Sequence, residues 1–268
     1  MAKGTKRGSP GAEAEKSPLS NVELSDEDAK KLQQIQRDLA RAELVLERQA
    51  QATLRPVYEK RREITKTIPN FWPVALMNHS LVAYHAQHNA DQTALSYLED
   101  IWVEKDPKEH RCFTIEFHFK ENQFFNDKVL KKEYKYVPPP AAENEKADEN
   151  GITESMLDFS WDRDVKISTI KVDWKDAEKA LTKVYPRESG EDEDDIADPG
   201  SFFNFFEKEA DPSEVGVVIA NEVFPEAIEY FLGNVEGDDD ITDSEEEEDE
   251  EDEAEIDLEK PRTKKRKV

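Results

Sequence analysis

The sequence has a single cysteine, Cys112, and no long apolar segment. One cysteine cannot form an intrachain disulfide, which favours a reducing compartment. No run approaches the roughly 18–20 apolar residues that a membrane-spanning helix requires. The polar N-terminal segment also lacks the apolar centre of a secretory signal. We therefore expect an intracellular protein that does not contact a membrane.

Sequence motifs of catalysis are missing as well. The chain has no glycine-rich phosphate loop, no Gly-x-Ser-x-Gly motif and no pair of cysteines. His85 and His88 are three residues apart, but no nearby ligand set completes a metal site around them. Cys112 adjoins an aromatic strand, which favours a place in the core over a role as nucleophile. We predict that the protein is not an enzyme and holds no cofactor or metal.

Basic residues are scarce relative to acidic ones, with 37 Lys plus Arg against 63 Asp plus Glu and a net charge of −26. Residues 236–259 contain 17 acidic and no basic side chains, and the last nine residues contain six basic ones, which leaves −15 on residues 1–235. Residues 1–235, which we call the body, are a poor ligand for nucleic acid, because nucleic-acid binding depends on clustered cations. We expect no direct, specific nucleic-acid binding. Basic partners such as histones, ribosomal proteins or polyamines are expected instead.

A long helix is predicted over residues 26–68. Ser25 can cap its first turn, and the acidic residues that follow favour the positive end of the helix dipole. A set of seven side chains then recurs at alternating spacings of three and four residues, as in a coiled coil. The first five are apolar and the last two are polar. They are Leu32, Ile35, Leu39, Ala42, Leu46, Gln49 and Thr53. Pro56 is expected to kink the helix or to mark a stutter, after which the pattern resumes at Val57, Ile64 and Ile68.

This helix would be about 65 Å long, which is too long to bury its apolar residues against one small domain. We predict that two chains associate through it. An intramolecular helical hairpin is the alternative, but the chain has no second long stripe to pair with the first. The predicted dimer contacts are Leu32, Ile35, Leu39, Ala42, Leu46, Val57 and Ile64.

An antiparallel sheet is predicted from strict alternation along the chain. Phe113, Ile115, Phe117 and Phe119 share one side of a strand at 111–120, and a second alternating run at 128–137 completes a hairpin. Further strands are predicted at 157–161 and 165–172, and helices at 70–79, 173–184, 214–222 and 225–232. The place of strand 165–172 and the role of the loop at 138–151 stay open. The fold class is therefore α+β, with a long N-terminal helix and flanking helices around the sheet.

Several blocks carry a family resemblance, in the same order along the chain. They are LRPVYEKR at 54–61, IPNFW at 68–72, FHFKEN at 117–122, FFNDKVL at 124–130, SFFNFF at 201–206, VFP at 223–225 and YFL at 230–232. The set resembles the nucleosome assembly protein family, and more closely its SET branch. PVYEKR together with the final KKRKV is similar to a fungal member that works with a histone acetyltransferase.

The resemblance implies a homodimer of antiparallel helices that binds core histones, with H3–H4 preferred to H2A–H2B, although the residues themselves leave the pair open. The family's histone-contacting acidic pair falls on Asn221 and Glu222, so only Glu222 is carried over. Glu207, Glu209, Asp211 and Glu214 are close in sequence and are expected to share that surface. Ordinary solvated helix faces are an equally good interpretation of these four residues.

Composition and spacing, together with the resemblance, predict four segments in the chain. These are a disordered arm at 1–25, the dimerisation helix at 26–68, a globular histone-binding domain at 69–235 and an acidic disordered tail at 236–268. Lys264, Lys265, Arg266 and Lys267 are interpreted as a nuclear localisation signal for importin. The alternative is a basic counterweight that folds back on the acidic tail. Ser244, which precedes Glu245, Glu246 and Glu247, suits an acid-directed kinase, and its phosphate would add about −1.5 to −2 charges.

These observations predict a nuclear histone chaperone that assists nucleosome assembly without ATP. The prediction allows for shuttling between nucleus and cytoplasm. One alternative is a regulatory cofactor that presents histones to a histone acetyltransferase, and another is a phosphatase inhibitor. A third is an acidic nuclear adaptor with no preference for histones.

Overall fold

The computed structural model describes residues 24–190 and 196–235. The predicted arm before Leu24, the acidic tail, Ser244 and the Lys264–Lys267 signal lie outside these ranges. The α-helices are α1 (Asp26–Thr65), α2 (Phe71–Met77), α3 (Ser80–His85), α4 (Asn89–Leu95), α5 (Glu154–Leu157), α6 (Trp161–Asp164), α7 (Leu181–Val184), α8 (Asn204–Glu207), α9 (Val215–Val218) and α10 (Ala227–Leu232). Short 3-10 helices cover Pro140–Asn144 and Ala177–Lys179, and a π-helical turn covers Ile219–Val223.

The predicted long helix is present as α1, 40 residues in length. The Ser25 hydroxyl accepts a hydrogen bond from the Asp28 amide at 3.1 Å, as a capping residue does. Pro56 lies inside α1 without ending it. The helix ends at Thr65, three residues before the predicted boundary, because Pro69 lacks a backbone donor and disfavours the helical conformation at Ile68.

The main sheet is antiparallel and has the order β1-β2-β3-β4, with strands Leu98–Lys105, Phe113–Phe119, Val129–Tyr136 and Val165–Ile167. The register pairs Ile101 with Phe117 and Phe117 with Leu130. Of the strand predicted at 165–172, only Val165–Ile167 is formed, as β4, and residues 168–172 are not a strand. Ile167 pairs with Tyr134 of β3, which places β4 at the edge of the sheet. A separate pair joins β5 (Glu188–Ser189) to β6 (Ile196–Asp198).

The aromatic core lies on one face of this sheet. The predicted inward residues of β2 are all buried, and Phe117 meets Phe206 edge to face with ring centroids 5.1 Å apart. The opposite face, predicted to be wet, is half-buried along β2. It is partly covered by the C-terminal part of α1, whose Arg62 lies 3.3 Å from the His118 ring nitrogen.

The strand predicted at 157–161 is wrong, because α5 ends at Leu157, α6 begins at Trp161 and the residues between them form no strand. The Thr153 hydroxyl caps α5, and the Asp164 carboxylate accepts from the Ser160 amide at 3.0 Å. Phe159 therefore lies in the connection between α5 and α6, and Trp161 begins α6.

The helix predicted at 173–184 is present only in part, between Ala177 and Val184. Only Ala177–Lys179 and α7 are helical, because Asn126 donates its backbone N–H to the Asp173 carbonyl at 2.9 Å. That bond holds the segment in an extended bridge beside Phe125.

Candidate interaction surfaces

One side of α1 carries five arginines, which we call the arginine face: Arg37, Arg41, Arg48, Arg55 and Arg62. The first two are four residues apart and the others follow at intervals of seven. Because an α-helix has about 3.6 residues per turn, these spacings place all five on one side of the helix. All five contact the globular part of the same chain.

The C-terminal arginines of this face bind the outer strand of the sheet. Arg62 donates to Asp100 at 2.5 Å, and the Asp100 side chain is only 1% exposed. Arg55 makes a two-pronged contact with Glu104 at 2.5 and 3.0 Å. Hydrogen bonds from Arg55 hold the pKa of Glu104 below its ordinary value. The guanidinium of Arg62 also lies 4.9 Å from the centre of the Trp102 ring, a cation–π contact.

The central arginine binds backbone instead of carboxylates. Arg48 donates to the carbonyls of Asn150, Gly151 and Lys108, each at 2.9–3.0 Å. Gly151 has a φ of +76°, and a Cβ there would lie 3.0 Å from the Arg48 guanidinium. The loop at 138–151, whose role the sequence leaves open, thus ends in residues that bind α1 to the domain.

The N-terminal arginines complete the attachment. Arg41 pairs with Asp148 at 3.0 Å and with Glu154 at 2.9 Å, and Arg37 pairs with Asp158 at 3.2 Å and also with Glu154. These carboxylates are more exposed than Asp100, so each pair contributes less to stability than the buried contact at the other end.

The predicted dimer contacts form an exposed apolar stripe on α1. Leu32, Ile35, Leu39, Leu46, Val57 and Ile64 are between 54% and 63% exposed, and Ala42 is exposed too. At about 100° per residue, the stripe is centred roughly 170° around the helix from the arginine face. The chain therefore uses one side of α1 for its own domain and leaves the apolar side uncovered by the residues that the structure describes.

Two of the predicted histone-contacting acids are engaged inside the fold. Glu207 accepts from the Val172 amide at 3.2 Å and from the Trp174 indole at 3.1 Å. Asp211 accepts from the Tyr134 hydroxyl and from the backbone of Val215 and Gly216. These contacts stabilise the turns around α8 and α9.

The other three predicted acids are exposed. Glu209 lies after α8, and Glu214 precedes α9 with a left-handed backbone. Glu222 lies in the π-helical turn, where its carboxylate is 3.3 Å from the His79 ring nitrogen.

Glu222 belongs to a group that the sequence reasoning missed. Glu226 and Glu229 follow it at spacings of four and three, and all three are exposed; we call them the acidic row. Burial raises the pKa of Tyr230, and the nearby carboxylates of Glu222 and Glu226 raise it further. The four-three spacing is the signal for this group in the sequence, but it crosses Pro225 and two separately predicted helices.

Comparison with known families gives this arrangement its context. The family model described as nucleosome assembly protein matches residues 65–234.

The chain belongs to the nucleosome assembly protein family. It is 28% identical to Protein SET of Drosophila melanogaster over 180 residues, which covers 66% of this chain and 60% of that one. It is 30% identical to nucleosome assembly protein 1-like 1 of Xenopus tropicalis over 206 residues, covering 67% of this chain and 49% of the relative. The chain thus spans only about half to three fifths of these two relatives. NAP1-related protein 1 of Oryza sativa subsp. indica is 28% identical over 259 residues, covering 91% and 88%.

Solved structures share the fold. The Ccp1 mutant structure has a TM-score of 0.56 at 23% identity, covering 77% of this chain and 94% of that one. Vps75 has a TM-score of 0.53 at 16% identity, covering 78% and 98%. The predicted family and the predicted α+β class are both confirmed.

Within the described ranges, no cluster of three or more His, Cys, Asp or Glu side chains could hold a metal ion. The same ranges contain no helix of the length and hydropathy that crossing a bilayer demands. Cys112 is buried, and burial raises the pKa of its thiol to about 12. A thiol with that pKa stays protonated at neutral pH, which agrees with its predicted place in the core.

Proposed function

We propose that this protein is a histone chaperone that binds core histones and assists nucleosome assembly. Membership of the nucleosome assembly protein family carries the proposal. The acidic row supports it, since exposed carboxylates on a body of negative charge attract basic proteins. Glu209 and Glu214 are retained as further contacts, while Glu207 and Asp211 contribute by shaping the surface.

The proposed mechanism divides the work between the folded surface and the tail. The acidic row binds histones by shape and charge. The acidic residues at 236–259 add many weak contacts, each effective within a Debye length of about 8 Å at physiological salt. Histones held in this way lose non-specific contacts with DNA and then pass to DNA when the nucleosome competes better. Because that transfer runs downhill, it needs no ATP.

Two chains act together in this proposal. The apolar stripe supports pairing, because burying six large exposed side chains is favourable by roughly 25 cal/mol per Å² of apolar surface. The globular domain lies against the opposite side of α1, so it leaves the stripe free for a second copy. A homodimer would present two acidic rows to one histone complex.

We further propose that importin carries the protein into the nucleus by binding Lys264–Lys267. Charge reversal of these residues should leave the protein in the cytoplasm, as fluorescence microscopy of the tagged chain would report. Nuclear entry that survives the change would mean that another segment serves as the signal.

Titration of the full chain with H3–H4 and with H2A–H2B tests the histone proposal. We expect tighter binding of H3–H4 at about 0.15 M salt. Changing the acidic row to Glu222→Gln, Glu226→Gln and Glu229→Gln should weaken binding about tenfold, since each exposed charge contributes up to about 1 kcal/mol. The matched control removes three exposed charges elsewhere, with Glu133→Gln, Glu149→Gln and Asp162→Asn, and should change affinity less than about twofold.

The comparison between these variants decides the role of the row. Equal losses in the two triple variants would reduce the interaction to net charge and remove the row as a binding surface. Binding of an unrelated basic protein with the same affinity and the same salt dependence would favour the general adaptor.

A further inference from the structure

A cavity of about 300 Å³ lies between α1, strand β1 and the π-helical turn. Its lining includes Arg48, Arg55, Trp102, Lys105, Asn221 and Phe224. Aromatic side chains and cations therefore share one concave site, which is the usual composition of a ligand-binding cleft. The histone-binding proposal does not use this site.

The charge of the cavity is opposite to that of the body. Arg48 and Lys105 contact no carboxylate among the residues that the structure describes. Lys105 instead donates to the Asn221 side-chain oxygen at 2.7 Å. Glu104 is the one acidic residue in the lining, and Arg55 already neutralises it at 2.5 Å. Glu47 acts on Lys105 only through space. The lining thus retains an excess of positive charge.

The cavity also runs along an unpaired backbone edge. Strand β1 is an outer strand, so half of its backbone groups point away from β2. Asp106 donates its backbone N–H to Cys112, and Phe119 donates to Lys128 of the neighbouring hairpin strand. These bonds show which residues of β1 bond to β2, because bonded and unbonded residues alternate along an antiparallel strand. By that alternation, Val103 and Lys105 direct their backbone N–H and C=O groups away from β2. Both residues line the cavity.

We propose that this cavity binds a short, extended, acidic segment of a partner protein. The segment would add to the outer edge of β1 through the backbone groups of Val103 and Lys105, and the cations of the lining would bind its carboxylates. Strand addition of this kind takes affinity from backbone hydrogen bonds and specificity from alternate side chains. A polyanion such as nucleic acid fits less well, because the negatively charged body repels it beyond the cavity.

The site remains accessible if two chains pair through the apolar stripe. Arg48 and Arg55 belong to the arginine face, which is centred roughly 170° around α1 from the stripe. A histone tail is an unsuitable occupant because its charge matches that of Arg48 and Lys105. The inference therefore concerns a second class of partner, and it can fail without affecting the histone proposal.

Isothermal titration of the full chain with a capped hexapeptide of alternating valine and glutamate tests the site. Lys105→Met should weaken binding about tenfold, the usual effect of losing one charge-assisted hydrogen bond. Asn221→Asp should weaken it similarly, because the new carboxylate occupies Lys105 and repels the peptide. Lys171→Met removes an exposed lysine outside the cavity and serves as the matched control, with less than about a twofold effect.

Four probes separate the possible occupants. The glutamine version of the peptide and a version with N-methylated backbone should both bind at least about tenfold more weakly. Inorganic phosphate and hexathymidylate should bind more weakly than the acidic peptide. Equal binding of the N-methylated peptide would overturn strand addition, and tighter binding of phosphate or hexathymidylate would overturn a peptide occupant. Binding that is unchanged in both Lys105→Met and Asn221→Asp would exclude the cavity altogether.

Discussion

Tyr134 and Gly216 show how single residues hold the acidic side of the domain in place. The Tyr134 ring is buried, and its hydroxyl donates to Asp211, which also accepts the Gly216 amide at 2.9 Å. Burial and the Asp211 carboxylate raise the pKa of Tyr134, so it remains a neutral donor. A Cβ on Gly216 would lie 2.0 Å from the Tyr134 hydroxyl oxygen. Position 216 therefore has no room for a side chain beside the Tyr134 ring, so glycine is required there.

We expect Gly216→Ala to lower the free energy of unfolding by about 3 kcal/mol, because overpacking adds to the loss of a buried hydrogen bond. Urea denaturation followed by circular dichroism measures the change. Gly233→Ala is the control: its φ is +68°, but the nearest atom is 4.0 Å away, so the cost should stay near 1 kcal/mol. Equal costs for both variants would mean that Tyr134 moves aside freely.

Lys132 is a buried cation in strand β3. It is fully buried, it donates to the Lys208 carbonyl at 2.5 Å, and its ammonium lies 5.3 Å from the centre of the Phe205 ring. Burial lowers its pKa from 10.5 to about 8. Between these two values the unfolded chain holds a proton that the folded chain has released, so this residue makes stability rise with pH.

Comparison with Lys132→Met isolates this contribution from other groups that titrate at alkaline pH. The difference in unfolding free energy, native minus variant, should rise by about 3 kcal/mol between pH 8 and pH 10.5. Chemical denaturation at several pH values provides the measurement. A difference that stays constant over this range would show that Lys132 keeps its proton in the fold.

At the scale of the element, α1 is attached to its domain most firmly at the C-terminal end. Arg62→Met should destabilise the fold by about 3 kcal/mol, because Asp100 would lose its closest partner while remaining buried. Arg37→Met should give no measurable change, since its partners Glu154 and Asp158 are exposed. Thermal denaturation of both variants tests the order, and the double variant Arg62→Met with Asp100→Asn should recover most of the loss. A larger loss of stability from Arg37→Met than from Arg62→Met would contradict this order.

Elements with a local repeat could be predicted from the sequence, and those fixed by distant partners could not. The spacing of Leu32, Ile35 and Leu39 indicates a helix, and the alternation from Phe113 to Phe119 indicates a strand, because burial on one side produces these periods directly. The segment at 157–161 has a similar alternation. There, however, Phe159 is half-buried beneath the Arg111 guanidinium, which lies 4.0 Å from the ring centre, a long-range contact that the local pattern does not contain.

The candidate surface could be predicted only in part for the same reason. Glu207 and Glu209 look alike in the sequence, yet the Trp174 indole binds the first and solvent surrounds the second. The arginine face was visible as a seven-residue repeat, but its meaning depends on carboxylates and carbonyls that lie far along the chain.

At the scale of the whole molecule, the described structure separates three kinds of surface. The acidic row faces solvent on the turn and helix at 219–232, and the positively charged cavity lies on the arginine side of α1. The apolar stripe lies on the opposite side of that helix. A dimer formed through the stripe would leave the other two surfaces accessible in both copies, which is what a carrier of basic cargo requires.

Sedimentation equilibrium of the full chain at micromolar concentration tests this arrangement most directly. We expect a mass near twice the 30.9 kDa of one chain. The double variant Leu39→Lys with Leu46→Lys should give the mass of one chain while keeping its circular dichroism, because both side chains are exposed in the single chain. Gln33→Lys, outside the stripe, should leave the dimer intact. A single-chain mass for the unaltered protein, or a dimer that survives the double substitution, would contradict the proposed role of α1.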